Sequence, residues 1–113
     1  MILYTAHISY RGSDRLYITV KNKDPQGIIF SPTWKMVMGV KHGKIGWEDY
    51  ERQYRDLMRM SYRKHKDQWN RILAEPEVTF VCFCKPSSQC HRYLLADYFT
   101  RLGADYRGER SIL

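Results

Sequence analysis

Hydrophobic and polar residues alternate along the first nine positions of the chain, and this period of two predicts a β-strand over 2–9. A second short strand is predicted over 16–20. The run at 78–83 is apolar or β-branched at successive positions, which is typical of a strand in the middle of a covered, largely parallel sheet. Residues 104–113 fit a short strand or a loop equally well. The pattern therefore predicts a small sheet with the 78–83 strand near its centre.

Between these strands, apolar residues recur every three or four positions, which is the period of an α-helix. Ser31 is a favourable N-cap ahead of a proline, so a helix is predicted over 32–41. A long helix is predicted over 47–73, ended by a Glu-Pro pair, and another runs from about 88 to 102, with a glycine as its stop. This order predicts a single α/β domain over 1–113, compact and Rossmann-like, with a mostly parallel sheet flanked by helices.

Composition narrows the compartment in which the protein works. The chain has 113 residues, 43% of them hydrophobic, which is enough for a core without disulfides. No apolar run approaches the roughly 18 residues that a membrane span needs, and the N-terminus lacks the features of a signal peptide. Three cysteines, an odd number, are typical of a reducing compartment. We therefore expect a cytoplasmic protein without a membrane partner.

The formal net charge of +7 is unevenly distributed. Residues 1–46 hold seven Lys or Arg against two acidic residues, whereas 47–77 are balanced. A nucleotide, a nucleic acid or an acidic protein surface would explain the excess, and so would ordinary solubility. On the long helix, basic residues at helical spacing form a stripe that could track phosphates: Arg52, Arg55, Arg59, Arg63 and Lys66. Acidic residues one turn away partly neutralise this basic stripe, which favours an ion-paired, solvated face.

The candidate site is the turn that joins strand 78–83 to the last helix, because it holds all three cysteines. Cys84 ends the strand, at the edge where open parallel sheets bind ligands. Cys82 lies within the strand, where the role of a small buried hydrophobic residue is expected. Cys90 begins the helix, and the N–H groups and dipole of a helix N-terminus favour anions and thiolates. His91 falls on the apolar face of that helix and is expected to point inward.

An anion site is the favoured interpretation of this turn. Arg92 can swing toward the start of the helix, where a phosphate or carboxylate would also meet other polar groups: Lys85, Ser87, Ser88 and His91. Tyr10 and Arg11 follow the first strand. Because the carboxyl ends of parallel strands meet at one edge of the sheet, these two residues are expected nearby.

Three other interpretations stay open. Cys84 or Cys90 could be a thiolate nucleophile, with His91 as its base and Arg92 holding the charge of a substrate. Alternatively, the three cysteines and His91 could bind zinc, although the spacing C-x-C-x5-C-H lacks the paired C-x2-C of common structural zinc sites. In the last interpretation, the cysteines are packing residues of the core, and His91 and Arg92 only stabilise the conformation of the turn.

The strand ending in Cys84-Lys85-Pro86, followed by Cys90-His91-Arg92 on a helix, resembles the signature of the domain of unknown function 488 family. Other segments are similar along most of the chain: Ser9-Tyr10, Leu16 to Val20, Phe30 to Trp34, Tyr50 with Tyr54, and Tyr106-x-Gly108-Glu109. The resemblance implies an α/β sandwich fold and a site around the Cys-His-Arg triplet. It implies no particular reaction.

The acidic partner of this triplet is not adjacent to it in the sequence. At position 85, after the cysteine, many relatives have an acidic residue, whereas this chain has Lys85. Glu109 is then the nearby acidic candidate, and it is expected to pair with Arg92 or Arg107. The chain, with its Ser31-Pro32-Thr33-Trp34 segment, resembles small members of this family found in bacteria and bacteriophages. A phage origin would place the protein in the host cytoplasm.

These observations lead to one function and one alternative. The leading prediction is a protein that binds a phosphate- or carboxylate-bearing ligand, a nucleotide or a nucleic-acid end, at the 84–92 turn, with thiol chemistry by Cys84 or Cys90 and His91 as an extension. No resident cofactor is expected, zinc being the less favoured interpretation. The alternative is an interaction protein without chemistry, which docks on a host protein or nucleic acid through a basic, aromatic surface.

Overall fold

A four-stranded, all-parallel sheet is the centre of the fold. The computed structural model describes residues 1–21, 24–84 and 89–110. The strands are β1 (Ile2–His7), β2 (Arg15–Tyr17), β3 (Glu77–Cys82) and β4 (Asp105–Glu109), in the spatial order β2-β3-β1-β4. The prediction of an α/β fold with a largely parallel sheet is confirmed, and the 78–83 run is its buried strand β3.

Helices connect β2 to β3 and β3 to β4. They are α1 (Trp34–Lys41), α2 (Trp47–Lys64), α3 (Lys66–Leu73) and α4 (His91–Arg101), with a short 3₁₀ turn at Ile28–Phe30. No helix within the described ranges is long and apolar enough to cross a bilayer.

Helix α1 begins two residues later than predicted. Its N-cap is Thr33, whose Oγ1 accepts a hydrogen bond from the backbone N of Met36 at 3.2 Å. Ser31, the predicted cap, instead donates its hydroxyl to the carbonyl oxygen of Ile28 and so closes the preceding 3₁₀ turn. Both residue types are good caps, and the local sequence does not choose between them.

The predicted long helix over 47–73 is two helices, α2 and α3. They break at His65, whose φ of −121° and ψ of 36° lie outside the helical region. At the break, the Ser61 hydroxyl donates to the carbonyl of Ile29 at 2.7 Å and accepts from Trp69 Nε1 at 3.0 Å. The apolar spacing continues through the break, so periodicity alone predicts one helix.

Alternate residues of the strands face opposite sides of the sheet. Leu3, Phe80 and Cys82 face the core, where they pack with residues of α2, α3 and α4 around an aromatic cluster. In that cluster the rings of Phe30 and Trp69 are 4.9 Å apart between centroids. Cys82 is therefore the last residue of β3 on the core side, which brings it under the start of α4.

The C-terminal segment that the sequence left ambiguous is strand β4. Gly103, with φ of 103°, ends α4 as predicted. The pairing of β4 with β1 shifts register between Leu3 and Thr5, and Gly108, also at φ 103°, supplies the backbone conformation within this irregularity. As a result Glu109 pairs with Thr5 and lies near α4.

Candidate functional site

Two cysteines meet where β3 ends and α4 begins. Cys82 is the last residue of β3, and Cys90 is the N-cap position of α4. Their sulfur atoms lie 2.8 Å apart, and both residues are buried. Cys90 has an extended backbone and makes no side-chain cap hydrogen bond, so its thiol is directed at Cys82 rather than at the helix N–H groups.

His91, the first residue of α4, lies directly beside this pair and is 6% exposed, so the prediction that it points inward is confirmed. Its Nε2 is 2.6 Å from the carbonyl oxygen of Ile18. A carbonyl only accepts hydrogen bonds, so Nε2 carries the hydrogen and the lone pair of Nδ1 is an acceptor. Nδ1 lies 3.8 Å from Cys90 Sγ. Burial lowers the pKa of His91, which keeps the imidazole neutral.

Arg92 lies beneath the thiols, with no exposed surface. Its Nη1 donates to Cys82 Sγ at 3.0 Å and to the carbonyl of Cys84 at 2.9 Å. Its Nη2 and Nε reach the carboxylate of Glu109 at 2.7 and 3.2 Å. The expected pairing of Glu109 with Arg92 is present. The expectation that Arg92 swings toward the helix mouth is wrong, because this network holds its guanidinium inside the protein.

The three thiols differ in their tendency to ionise. Hydrogen bonds from Cys84 and Cys90, together with the charge of Arg92, lower the pKa of Cys82. Burial and the hydrogen bond with Cys82 raise the pKa of Cys90. The hydrogen bond with Cys82 also raises the pKa of Cys84 to about 11. Cys82 was predicted to be a plain buried hydrophobic residue. It is buried, but it is the sulfur that the surrounding charges favour as a thiolate.

A cavity of about 300 Å³ opens over this thiol cluster, at the carboxyl end of β3. Cys82, Cys84, Cys90 and His91 form its floor. Its walls and rim are mainly aromatic and apolar: Trp34, Val37, Val40, Trp47, Tyr50 and Phe83, with Lys21 as a basic group. Trp47 and Tyr50 stack with centroids 5.1 Å apart. A mostly apolar, concave site with a few polar groups at one end is the usual form of a small-molecule site.

The structure does not bring Tyr10 to this cavity. Its hydroxyl donates to Asp14 at 2.6 Å, and Asp14 accepts from Thr79, which faces the side of the sheet opposite to Cys82. Arg11 is exposed on the same connection. The proximity predicted for these two residues is therefore wrong. The connection from β1 to β2 passes β3 on the far face of the sheet.

The remaining predicted ligand-binding residues, Lys85, Ser87 and Ser88, lie outside the described residues.

The comparison with family models fits this geometry. The model of the active DUF488-N3 subclade matches residues 8–103. The chain belongs to the DUF488 family. The match includes β2, β3 and α4, and with them the complete thiol cluster. Searches of curated proteins and of solved structures found no similar chain.

In this DUF488 protein the three residues of the Cys-His-Arg triplet differ in whether they line the cavity. Cys90 and His91 line the cavity, whereas Arg92 does not line it and instead donates a hydrogen bond to the sulfur of Cys82. The Sγ atoms of Cys82 and Cys90 and a ring nitrogen of His91 all lie within 4.8 Å of one another, so these three residues can hold a metal ion.

Sequence reasoning missed the aromatic walls of the cavity. Trp34, Trp47 and Tyr50 lie within the predicted helices over 32–41 and 47–73, and aromatic residues in a helix usually pack in the core. A usable signal was present, because the N-terminal ends of α1 and α2 both carry a tryptophan. The pattern could not show that both ends meet at the carboxyl edge of β3.

Proposed function

We propose that this protein binds a small ligand with a planar aromatic part and a phosphate or carboxylate group, and that a nucleotide is the class that fits best. The observation that carries the proposal is the cavity over the thiol cluster. Aromatic faces such as Trp34 and Trp47 accept a base by stacking, which is worth about 1–3 kcal/mol per base in proteins that bind single strands.

Exposed apolar side chains support a ligand at this place. Among the described residues, five large hydrophobic side chains are exposed, and three of them line the cavity. They are Trp34 at 48%, Phe83 at 51% and Val40 at 39% exposure. Apolar surface concentrated around a concave site commonly marks a binding site.

Positive charge supports an anionic group on that ligand. Lys21 lies on the cavity, with its Nζ 5.7 Å from the centre of the Phe83 ring. The N-terminus of α4 opens on the floor, where backbone N–H groups favour anions. The basic stripe on α2 supports a long nucleic acid less well, because Arg52 pairs with Asp49 and Arg59 with Asp56. A ligand the size of a mononucleotide is therefore favoured over a long polymer.

Binding rather than nucleophilic catalysis is the function proposed. Cys84 is the most accessible of the three thiols, and its pKa of about 11 keeps it protonated at neutral pH. Cys82 is the favoured thiolate but has 1% of its surface exposed. The sulfur that is favoured as a thiolate, in Cys82, is therefore not the sulfur that a ligand reaches most easily, in Cys84.

The test is isothermal titration calorimetry with the four ribonucleoside monophosphates, the matching nucleosides and inorganic phosphate. We expect at least one nucleotide to bind more tightly than its nucleoside. Trp34→Ala should weaken that nucleotide at least about fivefold, because it removes one stacking face. Lys21→Gln should weaken the nucleotide and leave the nucleoside unchanged.

Lys44→Gln is the matched control, since Lys44 is exposed and does not line the cavity. This variant should bind as the wild type does. Absence of binding by every nucleotide, or equal binding by nucleotide and nucleoside, would contradict the proposal.

A further inference from the structure

Two sulfur atoms and one imidazole nitrogen converge at the floor of the cavity, from the end of β3 and the start of α4. We propose that Cys82, Cys90 and His91 bind one divalent transition-metal ion of the zinc type, with its fourth coordination position open to the cavity. Thiolate sulfur and imidazole nitrogen are the donors that zinc prefers. The sequence lacks the paired C-x2-C spacing of common structural zinc sites. Here the packing of α4 on the end of β3 brings the three donors together instead.

The hydrogen bonding of His91 prepares one of its nitrogens for a metal. The bond from Nε2 to the carbonyl of Ile18 fixes the tautomer and leaves the Nδ1 lone pair on the side of the Cys90 sulfur. Metal-binding histidines generally donate their other ring N–H to a carbonyl or carboxylate in this way.

The buried charges balance when a divalent cation is present. Two thiolates neutralise the ion, and the guanidinium of Arg92 is already paired with the carboxylate of Glu109 at 2.7 Å. Arg92 also donates to the sulfur of Cys82, as outer-shell donors do in metal–thiolate sites. A buried group of charges is stable when it is paired in this manner.

Metal binding requires a small movement of the two sulfurs. With Zn–S bonds of about 2.3 Å in tetrahedral geometry, the sulfurs would be about 3.8 Å apart, compared with 2.8 Å in the structure. The Cys90 side chain makes no helix-cap hydrogen bond, so moving its sulfur by this amount breaks no contact with the N-terminus of α4.

The coordination position left open would face the cavity. All three donors line the cavity, and Cys84, although it hydrogen-bonds to the other thiols, is not in the group that lies within 4.8 Å. Three protein ligands with one open position are typical of zinc that binds a further molecule, whereas structural zinc usually has four protein ligands.

The test uses metal-free protein in reducing buffer, titrated with Co²⁺ and then with Zn²⁺, without nucleotide. We expect one equivalent of Co²⁺ to give thiolate-to-cobalt charge-transfer absorption with tetrahedral ligand-field bands, and Zn²⁺ to displace it. Cys90→Ser and His91→Gln should each lower the affinity at least tenfold. His42→Gln, at an exposed histidine, should bind as the wild type does. Cys84→Ser should lower the affinity less than Cys90→Ser does, because Cys84 is not in the donor group.

Wild-type protein without a thiolate–cobalt band would overturn the proposal. An equal loss in Cys84→Ser and Cys90→Ser would also overturn it, because the donor set would differ. Should the variants lose their circular dichroism, X-ray absorption of the zinc-loaded wild type decides. Two sulfur and one nitrogen neighbours support the site, and three sulfurs or none contradict it. The readout is independent of nucleotide binding, so either proposal can fail alone.

Discussion

Arg92 connects several segments around the thiol cluster although its side chain is fully buried. Its guanidinium joins the end of β3 to β4, through Cys82 on one side and Glu109 on the other. Burial alone would lower the pKa of Arg92, but the hydrogen bond with Glu109 and the neighbouring thiolate raise it above its usual value. Arg92 is therefore a positioning residue that remains charged at every physiological pH.

Replacing Arg92 by alanine should destabilise the protein by about 3 kcal/mol or more, because it leaves the Glu109 carboxylate and the thiols without their donor. Arg107→Ala is the matched control. Arg107 pairs with Asp105, but both side chains are at least half exposed, so the change should be within about 0.5 kcal/mol. Urea unfolding followed by circular dichroism gives both values. Equal small effects would show that the Arg92 network contributes little to stability.

At the scale of the elements, the break between α2 and α3 sets the position of the core tryptophan. His65 leaves helical geometry, and α3 then turns so that the Trp69 indole enters the aromatic cluster and donates to Ser61. The Ser61 hydroxyl satisfies two groups at once, the buried indole N–H and the partly buried carbonyl of Ile29. A polar side chain inside an apolar helix face thus fixes the angle between two helices.

Ser61→Ala should lower the free energy of unfolding by about 1–3 kcal/mol, because the buried indole N–H and the partly buried carbonyl of Ile29 lose their partner. Ser13→Ala, at an exposed position of the β1–β2 connection, is the control and should be neutral within about 0.5 kcal/mol. Thermal unfolding in a differential scanning calorimeter measures both. A Ser61 variant as stable as the control would mean that water or another group replaces the hydroxyl.

At the scale of the whole molecule, the edge strand β4 is held in two ways. It pairs with β1 in the sheet, and its Glu109 forms an ion pair with Arg92 of α4. Glu109 accepts from Arg92 and from the hydroxyl of Tyr93, and it lies beside Thr5 and Tyr106. Burial would raise the pKa of Glu109, but the hydrogen bonds and charge of Arg92, with smaller help from Thr5 and Tyr93, lower it below its ordinary value of 4.5. The C-terminal strand is therefore attached most firmly when this carboxylate is ionised.

A carboxyl group whose pKa is lower in the folded state than in the unfolded state stabilises the protein at any pH above its unfolded-state pKa. This stabilisation is lost as the pH falls through the folded-state pKa. Glu109→Gln should therefore be less stable than the wild type by about 1 kcal/mol at pH 7, and the difference should shrink as the pH falls below about 4.5. Chemical unfolding at several pH values tests this. Glu75→Gln, at an exposed residue, should show no such convergence. A difference that stays constant with pH would contradict the role of the charge.

The sequence by itself determined β1, β3, the end of α4 and the turn that holds the candidate site. Apolar runs and alternation located β1 and β3, the glycine at 103 ended α4, and the crowding of Cys, His and Arg residues marked the turn where the thiol cluster lies. These features are local, because periodicity and capping depend on residues a few positions apart. The pairing of Arg92 with Glu109 was also accessible, since the resemblance to the family drew attention to the closing segment.

Only the tertiary structure decided which residues share the site. Tyr10 lies on the face of the sheet opposite to the thiols, because the connection from β1 to β2 crosses β3 on that face. The local sequence does not show which face such a connection takes. Cys82 became part of a charged thiol cluster because α4 placed Cys90 and Arg92 over the end of its strand. Trp34 and Trp47 met above the same thiols for a similar reason. Contacts between distant segments follow from packing the elements together, and one sequence holds no direct record of that packing.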